Sequence, residues 1–306
     1  MNLEDAIRQA CDTVGIIPPK VTKFGKWVQT DTRSGKNGKG DGRIIVNDDN
    51  VTSFNWQTGE KATVWLKDAK TSIERKEISR KIEQSDCEKE QAARRASQIA
   101  NKLISGASLT THSYLKRKGF PDERVLVVKA EMVAEIGGKY LVPDGARKAI
   151  VVPARIGQMV HSAQLIWEDG TKKFLAGGRI GSTRHRIATG ADTTWFCEGL
   201  ATGLSLRTAM KSLNRNDSIL VCFSASNICL VARQWKYGRR FIAADNDKPL
   251  PQFGGLGVGE HYAKQADAPY LMPATIGDDI NDVHQREGIF AVQRLITNFL
   301  LGGAMA

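Results

Sequence analysis

The chain has 306 residues, room for two or three domains, and its 41 % hydrophobic and 25 % charged residues are ordinary globular proportions. Its formal charge is +11, all of it in the first 190 residues, since the remainder holds 11 basic and 11 acidic side chains. The five cysteines form no Cys-x-x-Cys pair and are odd in number, which argues against a zinc ribbon or a disulfide framework.

Met1 to Asp5 lacks the basic start and apolar core of a signal peptide, and no run of about 18 apolar residues follows. A cytosolic protein is expected. A basic front and a neutral, acid-sited back suit a polyanion-binding region joined to a cation site. A solvated basic surface gives the same charge. Residues 3–14 read as a short amphipathic helix stopped by Pro18-Pro19. The next segment interleaves glycines with Arg33, Lys36, Lys39 and Arg43. Glycine lets backbone approach a phosphate and the cations neutralise it, although a plain hairpin tip fits equally well. It is not a Walker A loop, because Asp41 stands where that loop requires lysine. Short strands are predicted at 43–47, 53–56 and 62–65, with turns at Asp48-Asp49-Asn50 and Thr58-Gly59. Trp56 and Trp65 are candidates for stacking the bases of a single strand, yet tryptophans on short strands more often fill a small β core.

Residues 67–104 place Ile73, Ile78, Ile82, Ala92, Ala96, Ile99 and Leu103 on a rough helical period, predicting one long helix or two. Gly106 and the Ser/Thr run after it mark a boundary. From His112 to Gly119 the chain sets Lys116, Arg117 and Lys118 after Tyr114. Strand-like runs follow at 124–128, 139–142, 149–153, 159–167 and 172–175, with Asp169-Gly170 as a hairpin turn. Lys172, Lys173, Arg179, Arg184 and Arg186, set among glycines, form no amphipathic pattern. They suit a basic wall for template or triphosphate.

From Thr193 strands alternate with helices. The strands are 194–197, 218–223, 240–244 and 269–272, and the helices 201–213, 227–235 and 257–266. That alternation predicts a parallel sheet with right-handed crossovers, whose reactive groups gather at the carboxyl ends of the strands. Glu198 leaves one strand end. Asp245 and Asp247 leave another and, two apart, share a face. Clustered carboxylates repel unless a cation neutralises them, and hard oxygen ligands suit Mg²⁺ or Mn²⁺. Gly199 frees the turn after Glu198, and Gly254-Gly255-Leu256-Gly257 lets the chain turn closely after Asp247. Asp278 to Asp282 is a second acidic knot, equally readable as a helix N-cap cluster. Residues 286–301 read as a final apolar helix, too short and interrupted for a membrane span.

Glu198-Gly199-Leu200-Ala201-Thr202-Gly203, Ala244-Asp245-Asn246-Asp247 and Asp279-Ile280-Asn281-Asp282, in that order, resemble the three motifs of a Toprim domain. The likeness is to the Toprim DNA primases of phages and conjugative plasmids, relatives of the bacterial primase, and runs from about Gly35 to Asp282. His112–Gly119 and Gly177–Ser182 resemble segments those primases carry ahead of the Toprim part. The resemblance implies an α/β protein: a C-terminal Toprim domain (parallel sheet flanked by helices) at 191–306, after a basic α+β, RNA-polymerase-like subdomain at 109–190. A charged helical linker at 67–108 and a small N-terminal β-containing module at 1–66 come before it. It implies RNA primer synthesis on single-stranded DNA from ribonucleoside triphosphates. Asp245 and Asp247, with Asp279 or Asp282, would hold Mg²⁺ or Mn²⁺, and Glu198 would be metal ligand or general base. The zinc ligands some of these primases carry are absent, so any template contact by the N-terminal module must be metal-free. Without a Walker A loop, a replicative helicase must be another chain; a phage protein would work in its host's cytoplasm. Two other readings stay open: a Toprim nuclease, and a non-catalytic nucleic-acid-binding adaptor whose acids are structural.

Overall fold

The structure, a computed structural model, describes residues 2–33, 40–66, 72–190 and 192–302, with 72–83 as backbone. Lys36, Lys39 and the side chains of Ile73, Ile78 and Ile82 therefore lie outside the described residues. The chain forms two compact units, one of residues up to 86 with 249–256, the other of 87–248 with 257 onward.

In the first unit α1 (Leu3–Thr13) starts at Asn2, whose side chain caps Asp5 N at 2.8 Å. Four antiparallel strands follow: β1 (Trp27–Thr30), β2 (Gly42–Val46), β3 (Asn50–Asn55) and β4 (Lys61–Trp65), hydrogen-bonded in that order. One sheet face packs on α1 through Ile44, Val46 and Val51 against Ala6, Ala10 and Val14. Ser53 Oγ and Asn55 Nδ2 fasten the helix end by donating to the Ala10 and Val14 carbonyls at 2.6 and 2.8 Å. Strand alternation turns Trp27, Arg43, Phe54, Lys61 and Trp65 to the other face. The tryptophans do not fill the core: Trp27, Trp56 and Trp65 are 52, 54 and 61 % exposed. The core needs only small and branched residues because a single short helix covers it. β1 was not anticipated; its Trp-Val-Gln-Thr alternation is four residues long.

A single helix, α2 (Ser72–Ser105), occupies the charged segment. In the second unit β5 (Ser108–Thr110), α3 (Ser113–Arg117), β6 (Val125–Lys129), α4 (Ala130–Gly137), β7 (Lys148–Ile156), β8 (Met159–Trp167) and β9 (Lys172–Phe174) follow. The five strands form one antiparallel sheet in chain order. β7 is apolar and buried from Ala149 to Ala154 because both its faces are covered there. Ala149 and Val151 pack towards Leu103 and Val133, while Ile150 and Val152 share a core with Trp195 and Leu204. The strand expected at 139–142 is instead a 3₁₀ turn, Lys139–Leu141. Gly138 enters it at φ +103°, outside the strand region, and Leu141 alone turns inward.

The last sheet is built from β10 (His185–Ala188), β11 (Thr193–Cys197), β12 (Ser218–Val221), β13 (Arg239–Ala243) and β14 (Tyr270–Leu271), in the order β10-β12-β11-β13-β14. All pairings are parallel except that of β10, an antiparallel edge strand. β10 and the shared core cross the division expected at 190/191. α5 (Leu200–Ser212), α6 (Ala225–Gln234) and α7 (Val258–Gln265) are the crossover helices. α8 (Ile280–Glu287) precedes the final helix expected at 286–301, which begins three residues later as α9 (Ile289–Leu301). Gly288, at φ +82°, breaks them apart. No helix among the described residues is long and apolar enough to cross a membrane.

Candidate active site

β11 is buried at every position, as the middle strand of a parallel sheet must be. It delivers Glu198 to the carboxyl edge, where the Glu198 carbonyl accepts from Phe223 N at 2.9 Å. β13, its neighbour, delivers Asp245 and Asp247 to the same edge. Asn246 between them anchors the loop: its N–H meets the Asp278 carbonyl at 3.0 Å and its Nδ2 the Pro273 carbonyl at 2.9 Å. Asp247 Oδ2 accepts from Gly259 N at 2.8 Å. A Cβ at Gly257 or Gly259 would collide with the carbonyls of Asp247 and Asp245, so α7 begins this close to the acids only because both are glycine. Gly259 was not anticipated.

Burial, then the charges of Glu198, Asp279 and Asp247, push the Asp245 carboxyl up to about 8, with Lys172 opposing. Glu198 is also raised, first by burial and then by Asp247 and Asp279, again against Lys172. Asp245 Oδ1 is buried and has no hydrogen-bond partner among the described residues. Asp279 and Asp282 form a capping box on α8: Asp279 Oδ1 accepts from Asn281 N and Asp282 N at 2.6 and 3.0 Å, and Asp282 Oδ2 from Asp279 N at 3.0 Å. The N-cap reading of this knot is therefore correct, and Asp279 also acts on the charge of the site. Asp282 Oδ1 lies 3.6 Å from Lys118 Nζ. Among the described residues no three His, Cys, Asp or Glu side chains are grouped so as to hold a metal ion in this arrangement. The donor chemistry nevertheless fits a hard divalent cation, with mutually repelling carboxylates and an unpartnered buried oxygen awaiting positive charge.

Beside the acids lies a cleft of about 450 Å³ lined by Arg117, Lys118, Lys172, Tyr114, Asp169, Asp279, Gln285 and, where α5 starts, Gly199, Ala201 and Thr202. Burial, then the Asp279 charge, pushes the Tyr114 hydroxyl up to about 12. Neighbouring residues of β9 face opposite ways: Lys172 lines the cleft, while Lys173 Nζ donates to the Tyr140 carbonyl at 2.7 Å. The basic wall is thus split. Arg184 lies over the Trp235 ring, 5.4 Å from its centroid, and Arg179, Arg186 and Lys116 are exposed. Asn227, also unanticipated, pins the Ser182–Arg184 loop to the end of β12. It accepts from Ser182 N at 2.7 Å and donates to the Thr183 and Cys222 carbonyls at 2.8 and 2.7 Å.

In the first unit Arg33 is paired with Asp12, and Arg43 Nη1 donates to the Gly42 carbonyl at 2.9 Å. Trp56 packs edge-on against Phe54, ring centroids 4.8 Å apart.

No protein-family model matches the chain. Among solved structures it is similar to a chain from the complex of bacteriophage T7 lagging-strand DNA polymerase with primase domains of two gp4 subunits, bound to an RNA/DNA hybrid and dTTP. The identity is 13 %, the TM-score 0.41, and the match covers 63 % of this chain and 92 % of that one. It is similar too to the primase fragment of the bacteriophage T7 primase-helicase protein, at 12 % identity and TM-score 0.42, over 63 % and 77 % of the two chains.

Proposed function

We propose that the chain is a Toprim-type DNA primase that makes short RNA primers on single-stranded DNA, dependent on Mg²⁺ or Mn²⁺. The observation that carries this reading is the meeting of Glu198, Asp245 and Asp247 at the carboxyl edge of two adjacent parallel strands, next to a cleft lined by Arg117, Lys118 and Lys172. Asp245 and Asp247, with Glu198 and Asp279, are the residues that would hold the cation. The cation would supply positive charge to the reacting phosphate and its attacking and leaving oxygens. Arg117, Lys118 and Lys172 bind and orient the triphosphate. Glu198, whose carboxyl is raised, would serve in one of two roles: joining the cation, or accepting the proton of the attacking 3′-hydroxyl. Asp282, already committed to the cap and Lys118, orients the cleft rather than joining the cation.

The outer face of the first unit's sheet, with Trp27, Phe54 and Trp65 beside Arg43 and Lys61, is our proposed template surface, with Trp56 at its margin. The substrates are ribonucleoside triphosphates. A replicative helicase is supplied by another chain, in phage or plasmid replication and in the cytoplasm. The test is incorporation of labelled ribonucleotides on single-stranded DNA with Mg²⁺ or Mn²⁺, comparing the native chain with Asp245→Ala/Asp247→Ala. Short metal-dependent products lost in the variant support the proposal. Template cleavage lost in the variant would establish the nuclease instead, and DNA binding without either reaction the adaptor.

A further inference from the structure

Two cations of the cleft, Arg117 and Lys118, sit at the end of α3, a helix of five residues with little stability of its own. Their place is set by α8. Asn281 Nδ2 donates to the Lys118 carbonyl at 2.9 Å, and Gln285 Nε2 donates to the carbonyl of Arg117. Residues four apart lie on one face of a helix, so the two carboxamides form a ladder that meets two consecutive carbonyls. Asn281 is fully buried and donates also to Ser205 Oγ at 3.1 Å, which in turn lies 3.1 Å from His284 Nδ1. α5, whose first turn lines the cleft, is thereby tied to the same helix. The cap that starts α8 is Asp279, the acid that acts on Asp245. One short helix thus carries an acid of the site at its start and grips the basic turn along its length.

We infer that Asn281 and Gln285 are positioning residues that hold Arg117 and Lys118 in register with the carboxylate edge, so that a bound triphosphate meets cations and acids together. The inference rests on the nucleotide-polymerising reading of the site. Gln285 itself lines the cleft, but the carboxamide hydrogen bonds of Asn281 and Gln285 to this turn are made to backbone carbonyls, and the double background separates this positioning role from a direct contact with the triphosphate. Losing one such hydrogen bond loosens the turn and weakens phosphate binding about fivefold to tenfold. The attacking hydroxyl and its base are untouched.

The experiment uses the full chain with Gln285→Ala, Asn281→Ala, Arg117→Ala/Lys118→Ala, and Gln285→Ala in that double background. Gln285 is exposed, so its variant tests the clamp even if Asn281→Ala does not fold. ATP binding with Mg²⁺ is followed by calorimetry, and KM and kcat by ribonucleotide incorporation on single-stranded DNA. Gln285→Ala is expected to weaken ATP binding and raise KM about fivefold with kcat within about twofold. It should add nothing once Arg117 and Lys118 are alanine. Unchanged ATP binding and KM in Gln285→Ala, or an equal loss in both backgrounds, overturns the clamp. Coupled weakening of ATP binding in a chain that incorporates no ribonucleotide upholds the clamp and refutes the primase reading. A native chain that does not bind ATP refutes both.

Discussion

Asp245 stores the folding cost of the site, and replacing it in the metal-free protein should expose that cost. Its carboxyl is raised from 3.8 to about 8, by burial first and the neighbouring acids second. A carboxyl raised on folding is bound to its proton more tightly in the native state than in the unfolded chain. Stability therefore falls as pH climbs from about 4 to about 8, and the loss is complete above that window. The full interval is worth roughly 6 kcal/mol, and relaxation of the site returns part of it, leaving about 2–4 kcal/mol. Asp245→Asn keeps the shape and removes the charge. In EDTA at pH 8.5 it should be the more stable protein by that amount, visible as a higher urea midpoint with unchanged slope. The difference should shrink steadily as pH falls towards 4 and level off below it, where Asp245 becomes protonated in both states. Saturating Mg²⁺ should stabilise the native chain and not the variant. A difference that does not change with pH, or an Asn variant that is the weaker at pH 8.5, would refute the account of Asp245 as an uncompensated buried charge.

Other expectations follow from single contacts. Gly259→Ala puts a methyl group into the Asp245 carbonyl and moves the N–H that holds Asp247. Incorporation should fall at least about tenfold while circular dichroism is unchanged. Lys172→Ala removes the cation that opposes the raised carboxyls, so triphosphate KM should rise about tenfold, measured by initial rates. Trp27→Ala/Trp65→Ala should weaken binding of a single-stranded oligonucleotide by about 1–3 kcal/mol per lost stack, read by fluorescence anisotropy, with DNA-free stability unaltered. Trp195→Phe leaves Asp217 Oδ2 without its 2.9 Å indole donor; denaturant unfolding should show a loss of about 1–3 kcal/mol.

The parts of this protein legible in its sequence are those fixed by period and by strand order. The apolar runs at 194–197 and 240–244 read as buried parallel strands in an alternating strand-helix order, and that reading put Glu198 and Asp245 at one edge. The parts that escaped depend on backbone groups meeting across distance. β10 was missed because its four residues are polar and apolar in no clear alternation, and its strand character comes from β12. Lys139–Leu141 has a strand-like composition, but the glycine before it enters at an angle no strand uses. Lys172 and Lys173 look equivalent as letters; the pleat alone sends one to the cleft and the other to a carbonyl. The same limit hides Asn281 and Gln285. Their partners are main-chain oxygens more than 160 residues away, which any residue could supply, so no side-chain pairing marks them. What the sequence does hold is their spacing of four on a helix that begins with an acidic cap. A carboxamide ladder behind such a cap is a pattern that can be sought wherever an acidic site must be kept in register with a basic turn.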